Sequence, residues 1–390
     1  MLHDIPTYLP VYRRANVTMV RGEGAYLFDD CGNRYLDCAS GIAVNALGHG
    51  HPHVVAALKA QADLLWHCSN NYLNDQLVRF ADRLVGESVL DSVFFCSTGT
   101  EAVEAGIKFM RRFHTMNGQP QRQRIVTFEG GFHGRSITCI SAGGNEVARK
   151  GYAPLLEGFD RVAFNDLAAV KAAISDETAG VLIEPVQGEG GVHIADRSYL
   201  QQLAALCRES GILLMLDEVQ CGYGRCGSLF TYDVYDVRPD VVACAKGIGN
   251  GFPLGACLVS AAVANTLEPG CHGSTYGSNP LAMAVGNAVL DVMQSHGFFT
   301  HIHEVSAQLM RGLQQLMAQY PDQIEAVRGL GLLIGVKIRG NARALADQLR
   351  VKGLLVAPAY GDVLRFVPPL IIASAQVEEA LSITEQTLKG

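Results

Sequence analysis

Six short apolar runs without an internal charge recur between residues 92 and 259: Ser92-Val-Phe-Phe-Cys96, Arg124-Ile-Val-Thr-Phe128, Gly180-Val-Leu-Ile-Glu184, Ile212-Leu-Leu-Met-Leu216, Val241 to Ala245 and Ala256-Cys-Leu-Val259. A strand that is apolar on both sides has no face to show to water, so it belongs inside a sheet covered twice. Helical spacing near 100–113, 166–174 and 198–210 supplies the covers between some of the runs. The pattern predicts an α/β fold with a mostly parallel sheet, and such sheets bind ligands beyond the carboxyl ends of their strands.

The flanks read differently. Ala25 to Asp30 and Asn33 to Asp37 alternate apolar and polar residues between Gly and Asp turns, which predicts a small antiparallel sheet. Helices are expected over 52–66 and 74–85. Beyond Asn279 come two long helical stretches, 280–295 and 301–319, then Val327 to Ile338, a helix near 341–352, Leu364 to Val367 and a last helix from 375. The expected organisation is an N-terminal segment (1–50) packing with a smaller α+β domain (279–390), and a large domain (51–278) between them.

A composition of 48% hydrophobic and 18% charged residues fits a globular chain, and a net charge of -7 without a basic block argues against nucleic-acid partners. Eleven cysteines without a C-x-x-C pair read as free thiols. The start of the chain lacks the basic and apolar regions of a targeting peptide, and no apolar run reaches membrane-spanning length, so the expected compartment is the cytoplasm. His49, His51 and His53 stand two apart around Pro52, but no cysteine or carboxylate cluster joins them, and they read as a loop rather than a metal site.

The chemistry gathers at the ends of the apolar runs. The run from Val241 delivers one lysine, Lys246, into a turn containing Gly247, Gly249 and Gly251. An ammonium beside an apolar strand is disfavoured against the neutral amine, which is a nucleophile toward aldehydes; the alternative is a lysine that snorkels to water. Ser97-Thr-Gly-Thr-Glu101 follows a strand and opens a helix, where free N–H groups could hold a phosphate, unless Ser97 or Thr98 is only an N-cap with Glu101 completing a capping box. Asp217 ends another run beside Glu218. Buried, it needs a positive or hydrogen-bonding partner, such as a protonated pyridine nitrogen; exposed, it is a surface or capping aspartate. Gly130-Gly-Phe-His-Gly-Arg135 offers an aromatic face and an arginine suited to a carboxylate, and Arg365 stands alone in an apolar run. Glu184 and Glu189 lie on a glycine-rich loop and could neutralise an arginine.

In this order the motifs resemble the subgroup III aminotransferases that use pyridoxal 5'-phosphate, from about Pro10 to the C-terminus. Leu216-Asp-Glu-Val-Gln220, the Lys246 segment, Glu184-Pro-Val-Gln-Gly-Glu-Gly190 and His272-Gly-Ser-Thr-Tyr-Gly277 carry the resemblance. It implies a fold-type-I homodimer with the cofactor at the dimer interface. Lys246 would bind the cofactor and then shuttle the proton, and Asp217 would pair with the pyridine nitrogen. Phe132 would stack on the ring, with Val219 and Gln220 against it. Thr98, Gly99 and Thr100 would hold the phosphate, with Thr275 from the neighbouring subunit. Arg135 would take the α-carboxylate of an acylated ornithine and Arg365 that of 2-oxoglutarate, while Glu189 would shield Arg365 in the first half-reaction.

The implied reaction moves the δ-amine of N-acetylornithine to 2-oxoglutarate, a step of arginine biosynthesis. N-succinylornithine, succinyl-diaminopimelate, ornithine and 4-aminobutyrate are rival donors, and a non-catalytic cofactor-binding regulator is the rival of another class. Thr98, Val103 and Ser278 replace the residues common at their positions in the family. Tyr72 followed by Leu73 replaces the adjacent aromatics often found there, which bears on acyl-chain preference.

Overall fold

The computed structural model describes residues 8–389; the first seven residues, part of the stretch judged free of a targeting signal, lie outside the described residues. At the centre is a seven-stranded sheet in the order Ser92–Cys96, Gly255–Val259, Val241–Cys244, Leu213–Asp217, Thr178–Ile183, Arg124–Phe128 and Phe159–Val162. Gly255–Val259 runs against the other six. All six apolar runs are therefore strands of one mostly parallel sheet, as the sequence predicts.

Alternation along the strands explains why both sides are apolar. Met215, Val241, Ala243 and Cys257 pack with the helix Gly99–Met116, whereas Leu214, Leu216, Val242, Cys244 and Leu258 belong to the core on the opposite face. The helix Gly99–Met116 sits so close that a Cβ on Gly106 would come within 2.5 Å of the Met215 side chain. The seventh strand, Phe159–Val162, escapes the sequence reading because it lies at the sheet edge and carries Asp160 and Arg161; Asp160 pairs with Arg124 of the neighbouring strand. Edge strands need only one apolar neighbour, so their pattern is weak.

Toward the C-terminus, Ile324–Leu330 and Leu333–Ile338 form a hairpin, extended by Val363–Phe366 and Ala357–Ala359 into an antiparallel sheet. The single stretch Val327–Ile338 is thus two strands, turned at Gly331, whose φ is 57°. Helices Phe298–Gln319, Ala342–Val351 and Ser374–Leu388 accompany this sheet. The N-terminal strands Met19–Glu23, Tyr26–Asp29 and Arg34–Asp37 are antiparallel, and Leu354–Leu355 adds to them in parallel beside Arg34–Asp37. Helix Pro280–Met293 packs on Pro52–Ala62 and Asp75–Gly86. No helix among the described residues is long and apolar enough to cross a membrane, and all eleven cysteines are free. The three spaced histidines part company: His49 bonds Asp37 and His53 bonds Asp291, each at 2.8 Å.

One buried cation ties the C-terminal sheet to the central one. Arg225 is 2% exposed, and its Nη1 donates to the carbonyls of Leu332 (3.0 Å) and Pro368 (2.6 Å), while its Nη2 has no partner. Burial lowers its pKa to about 10, yet the two carbonyls hold it. Arg225→Ala would leave both carbonyls unpaired in the core, and we expect a loss of about 3 kcal/mol in denaturant unfolding, with Arg225→Lys recovering part of it.

Candidate functional site

The carboxyl ends of Ser92–Cys96, Leu213–Asp217 and Val241–Cys244 open into a cavity of about 320 Å³. Thr98, Gly99, Thr100, Phe132, His133, Glu184, Asp217, Val219, Gln220 and Lys246 line it. Loops that the sequence spreads over 150 residues meet here because parallel strands all end on the same edge.

Lys246 begins the turn Lys246–Gly249 with a φ of 51°, a left-handed conformation unusual for a residue with a side chain. Its amine faces the cavity rather than snorkelling to bulk water. Burial lowers its pKa to about 8, against carboxylates at Glu189, Asp217 and Glu184 that pull it upward. A sizeable neutral fraction therefore exists near neutral pH, and that fraction is the nucleophile.

Asp217 is 3% exposed and fully engaged on the protein side: Oδ1 accepts from the Val219 N–H at 3.0 Å, and Oδ2 lies 2.7 Å from His133 Nδ1. The neighbouring Glu218 points the other way and accepts from the amides of Thr231 (2.6 Å) and Tyr232 (2.8 Å), closing the start of the helix Thr231–Tyr235. Burial pushes the Glu218 carboxyl up to about 8. The paired carboxylates of the sequence are thus one site residue and one structural cap.

At the start of Gly99–Met116, Thr98 is the N-cap, accepting from the Glu101 N–H at 3.2 Å, while the Glu101 carboxylate returns to the Ser97 N–H at 3.0 Å. The capping pattern and the anion-binding reading coexist: the first amides of a helix have no intrahelical acceptor, and here Gly99 and Thr100 line the cavity. Phe132 presents its ring to the same space, and its N–H donates to buried Glu184 at 2.9 Å. Burial, and then the charge of Asp217, raise the Glu184 carboxyl well above the ordinary range.

Arg365 is wholly buried. Its Nη1 donates to Glu189 Oε1 at 2.6 Å and to Gln220 Oε1 at 2.6 Å, and Nε and Nη2 have no partner. Burial alone would raise the Glu189 carboxyl, but the Arg365 charge and hydrogen bond outweigh it and hold the carboxyl low. The structure therefore brings Glu189 and Arg365 together, along with Lys246, Asp217, Phe132, Val219, Gln220 and the Thr98–Thr100 turn. It leaves two predicted residues on the surface: Arg135, exposed with its guanidinium carbon 5.4 Å from the Phe132 ring centroid, and Thr275, exposed and outside the cavity of its own chain.

Two residues escape the sequence reading. His133 stands inside a motif already singled out, and the need of a buried Asp217 for a donor was the signal that could have found it. Arg328 carries no local signal. From the C-terminal sheet its Nε and Nη2 reach the carbonyls of Gly191 (3.1 and 2.5 Å) and Val192 (2.9 Å), and the Tyr360 N–H donates to the Glu189 carbonyl at 3.1 Å. The backbone that carries Glu189 is held from outside the cavity.

A helix start and hydroxyls that suit a phosphate, a histidine-held carboxylate that suits a ring nitrogen, apolar faces at Phe132 and Val219, and a reactive amine together define a lysine-dependent cofactor enzyme. This donor set fits pyridoxal phosphate. The chain belongs to the Aminotransferase class-III family, whose model matches residues 8–388, and it is a pyridoxal-phosphate-dependent aminotransferase. Acetylornithine aminotransferase of Agrobacterium fabrum is 49% identical over 96% of this chain and 94% of its own. The solved ornithine aminotransferase of Toxoplasma gondii, which holds pyridoxal phosphate at partial occupancy in its active site, superposes with a TM-score of 0.94 at 30% identity, covering 98% of this chain and 92% of that one. N-acetylornithine aminotransferase of Stenotrophomonas maltophilia gives 0.85 at 36% identity, with 96% of both chains covered.

The raised Glu184 carboxyl has a signed consequence. Above the ordinary pKa of 4.5 the folded chain holds a proton that the unfolded chain releases, so stability falls as pH climbs from there through the folded-state pKa. Glu184→Gln keeps an acceptor for the Phe132 N–H without a titrating group. We expect its stability, measured by denaturant unfolding of the cofactor-free protein, to gain steadily on wild type from pH 4.5 upward.

Proposed function

We propose that this chain transfers the δ-amine of N-acetylornithine to 2-oxoglutarate, giving N-acetylglutamate 5-semialdehyde and glutamate. The observation that carries the reading is a buried, carboxylate-masked arginine, Arg365 under Glu189, in the same site as Lys246. The site must take a cationic amine in one half-reaction and a dicarboxylate in the other. An exposed guanidinium would favour α-amino acids in both; a masked one can be hidden from the first substrate and offered to the second.

Thr98, Gly99 and Thr100 would hold the cofactor's phosphate, Phe132 and Val219 its ring faces, and Asp217, fixed by His133, its ring nitrogen. When bound, pyridoxal phosphate supplies the electron sink that makes the hydrogen on the amine-bearing carbon removable. Lys246 Nζ, free as the amine, would take up that proton and give it back. A pKa of about 8 suits both steps, since the amine must be free to accept and able to release. Arg135, exposed beyond Phe132 and His133, would meet the α-carboxylate of the acylated donor.

A homodimer completes the reading. Trp66, Tyr72, Leu73 and Tyr276 expose 64 to 82% of their surface, and Asn70 Nδ2 ties their two segments together through the Ser274 carbonyl at 2.8 Å. This apolar rim suits a second copy, which would bring Thr275 to the phosphate. The cytoplasm is the compartment we assign to such an enzyme.

Lys246→Ala should bind cofactor weakly and lose all turnover while unfolding like the wild type; an active alanine variant sinks the mechanism. In single-turnover absorbance measurements without a keto acid, N-acetylornithine should bleach the bound cofactor's visible band and 2-oxoglutarate should restore it. Bleaching by ornithine or 4-aminobutyrate alone would move the assignment to another donor. Glu189→Ala uncovers Arg365, and the ratio of glutamate to N-acetylornithine as donors should rise roughly tenfold, the worth of one charge-assisted hydrogen bond. An unchanged ratio would give Glu189 a different task.

A further inference from the structure

The Glu189–Arg365 pair has a third member. Gln220 Oε1 accepts from Arg365 Nη1 at the same 2.6 Å as the ion pair, and Gln220 Nε2 donates to Glu189 Oε1 at 3.2 Å, closing a ring of three side chains. The two acceptors on Nη1 differ in their surroundings. The Glu189 side chain is 25% exposed on a loop with glycines at 188, 190 and 191, whereas Gln220 is 7% exposed directly beyond the strand Leu213–Asp217. Gln220 is also wedged against Gly188, where a Cβ would come within 1.9 Å of its Oε1 and 2.4 Å of its Cδ. Space for this amide is built into the loop that carries Glu189.

Chemistry points the same way. A primary amide accepts from a guanidinium and donates to a carboxylate at once; a carboxylate cannot donate and an apolar side chain can do neither. When Glu189 leaves, Gln220 is the one hydrogen-bond partner left to the Arg365 guanidinium, whose Nε and Nη2 are already unpaired. Held at Nη1, it stays where a second carboxylate can replace the first.

We propose that Gln220 is a specificity-determining residue of this site: it holds Arg365 Nη1 in both half-reactions and offers its Nε2–H to whichever carboxylate, that of Glu189 or of a dicarboxylic substrate, stands on the guanidinium. The inference rests on the reading of Arg365 as the dicarboxylate site. The experiment uses the cofactor-loaded enzyme and two variants, Gln220→Met, close in volume, and Gln220→Glu, which places a second anion beside Arg365. Glutarate binding is measured by calorimetry. The kcat/KM ratio of 2-oxoglutarate to succinic semialdehyde, which lacks only the α-carboxylate that Arg365 would hold, is measured alongside.

Glutarate affinity and the acceptor ratio should both fall roughly tenfold in Gln220→Met and up to about 100-fold in Gln220→Glu. Values within twofold of wild type overturn the proposal. Equal losses for both acceptors overturn it too, because Gln220 would then serve the bound cofactor and not the α-carboxylate. A wild-type enzyme that neither binds glutarate nor prefers the 2-oxo acid to the aldehyde removes the reading of Arg365, and this proposal with it.

Discussion

Charge brought to the end of a buried strand must be answered by other protein groups, because little water reaches it. This constraint shapes the whole site. The strands Leu213–Asp217 and Val241–Cys244 are apolar on both faces, and they deliver Asp217 and Lys246 to one edge of the sheet. Asp217 is answered by His133 and a backbone amide, Glu218 by two amides of a short helix, and Glu189 by Arg365. Lys246 has no carboxylate within salt-bridge distance, and it is the group whose pKa moves to a useful value. Its reactivity is what remains once every neighbouring anion is committed elsewhere.

The commitments differ in firmness, and function follows that difference. Asp217 is gripped from both oxygens, by buried His133 and by the amide of half-buried Val219, which suits a charge that never changes partner. Glu189 sits on a glycine-rich loop and shares a single guanidinium nitrogen with Gln220, which suits a partner that can leave. The C-terminal sheet steadies the mobile half. Arg328 and the Tyr360 amide hold the loop backbone around Glu189, and Arg225 fixes the Pro368 carbonyl three residues beyond Arg365. Only the Glu189 side chain is then left to move, so an exchange of carboxylates need not melt the loop.

Much of this was legible in the sequence wherever a local pattern forces an answer. Uninterrupted apolar runs have no alternative to a covered sheet, so all six became strands, and the residues just past them fell at one edge. Phe159–Val162 was not legible because a polar edge strand has no such compulsion, and the hairpin between Leu330 and Leu333 hid in what read as one apolar stretch. Thr98 shows a different limit. Its cap and its place at the cavity use different atoms, so the two readings set as rivals need not exclude each other. Arg225, Arg328 and the His133–Asp217 pair rest on contacts between residues 84 to 143 positions apart. No window of sequence contains both partners.

The same division bears on what fixes the reaction and what fixes the donor. On the proposed function, electron withdrawal and proton transfer would depend on groups at the ends of the central strands, where a displaced atom costs hydrogen bonds. On the same reading the acyl group would meet the rim, where Arg135, Tyr72 and Leu73 are exposed and Asn70 and Asn74 bond the backbone carbonyls of Ser274, Gly277 and Ser278. Exchanging an exposed aromatic for a leucine there disturbs no buried partner. On that reading donor preference would change by substitution at the rim, while the groups held at the ends of the strands stay as they are.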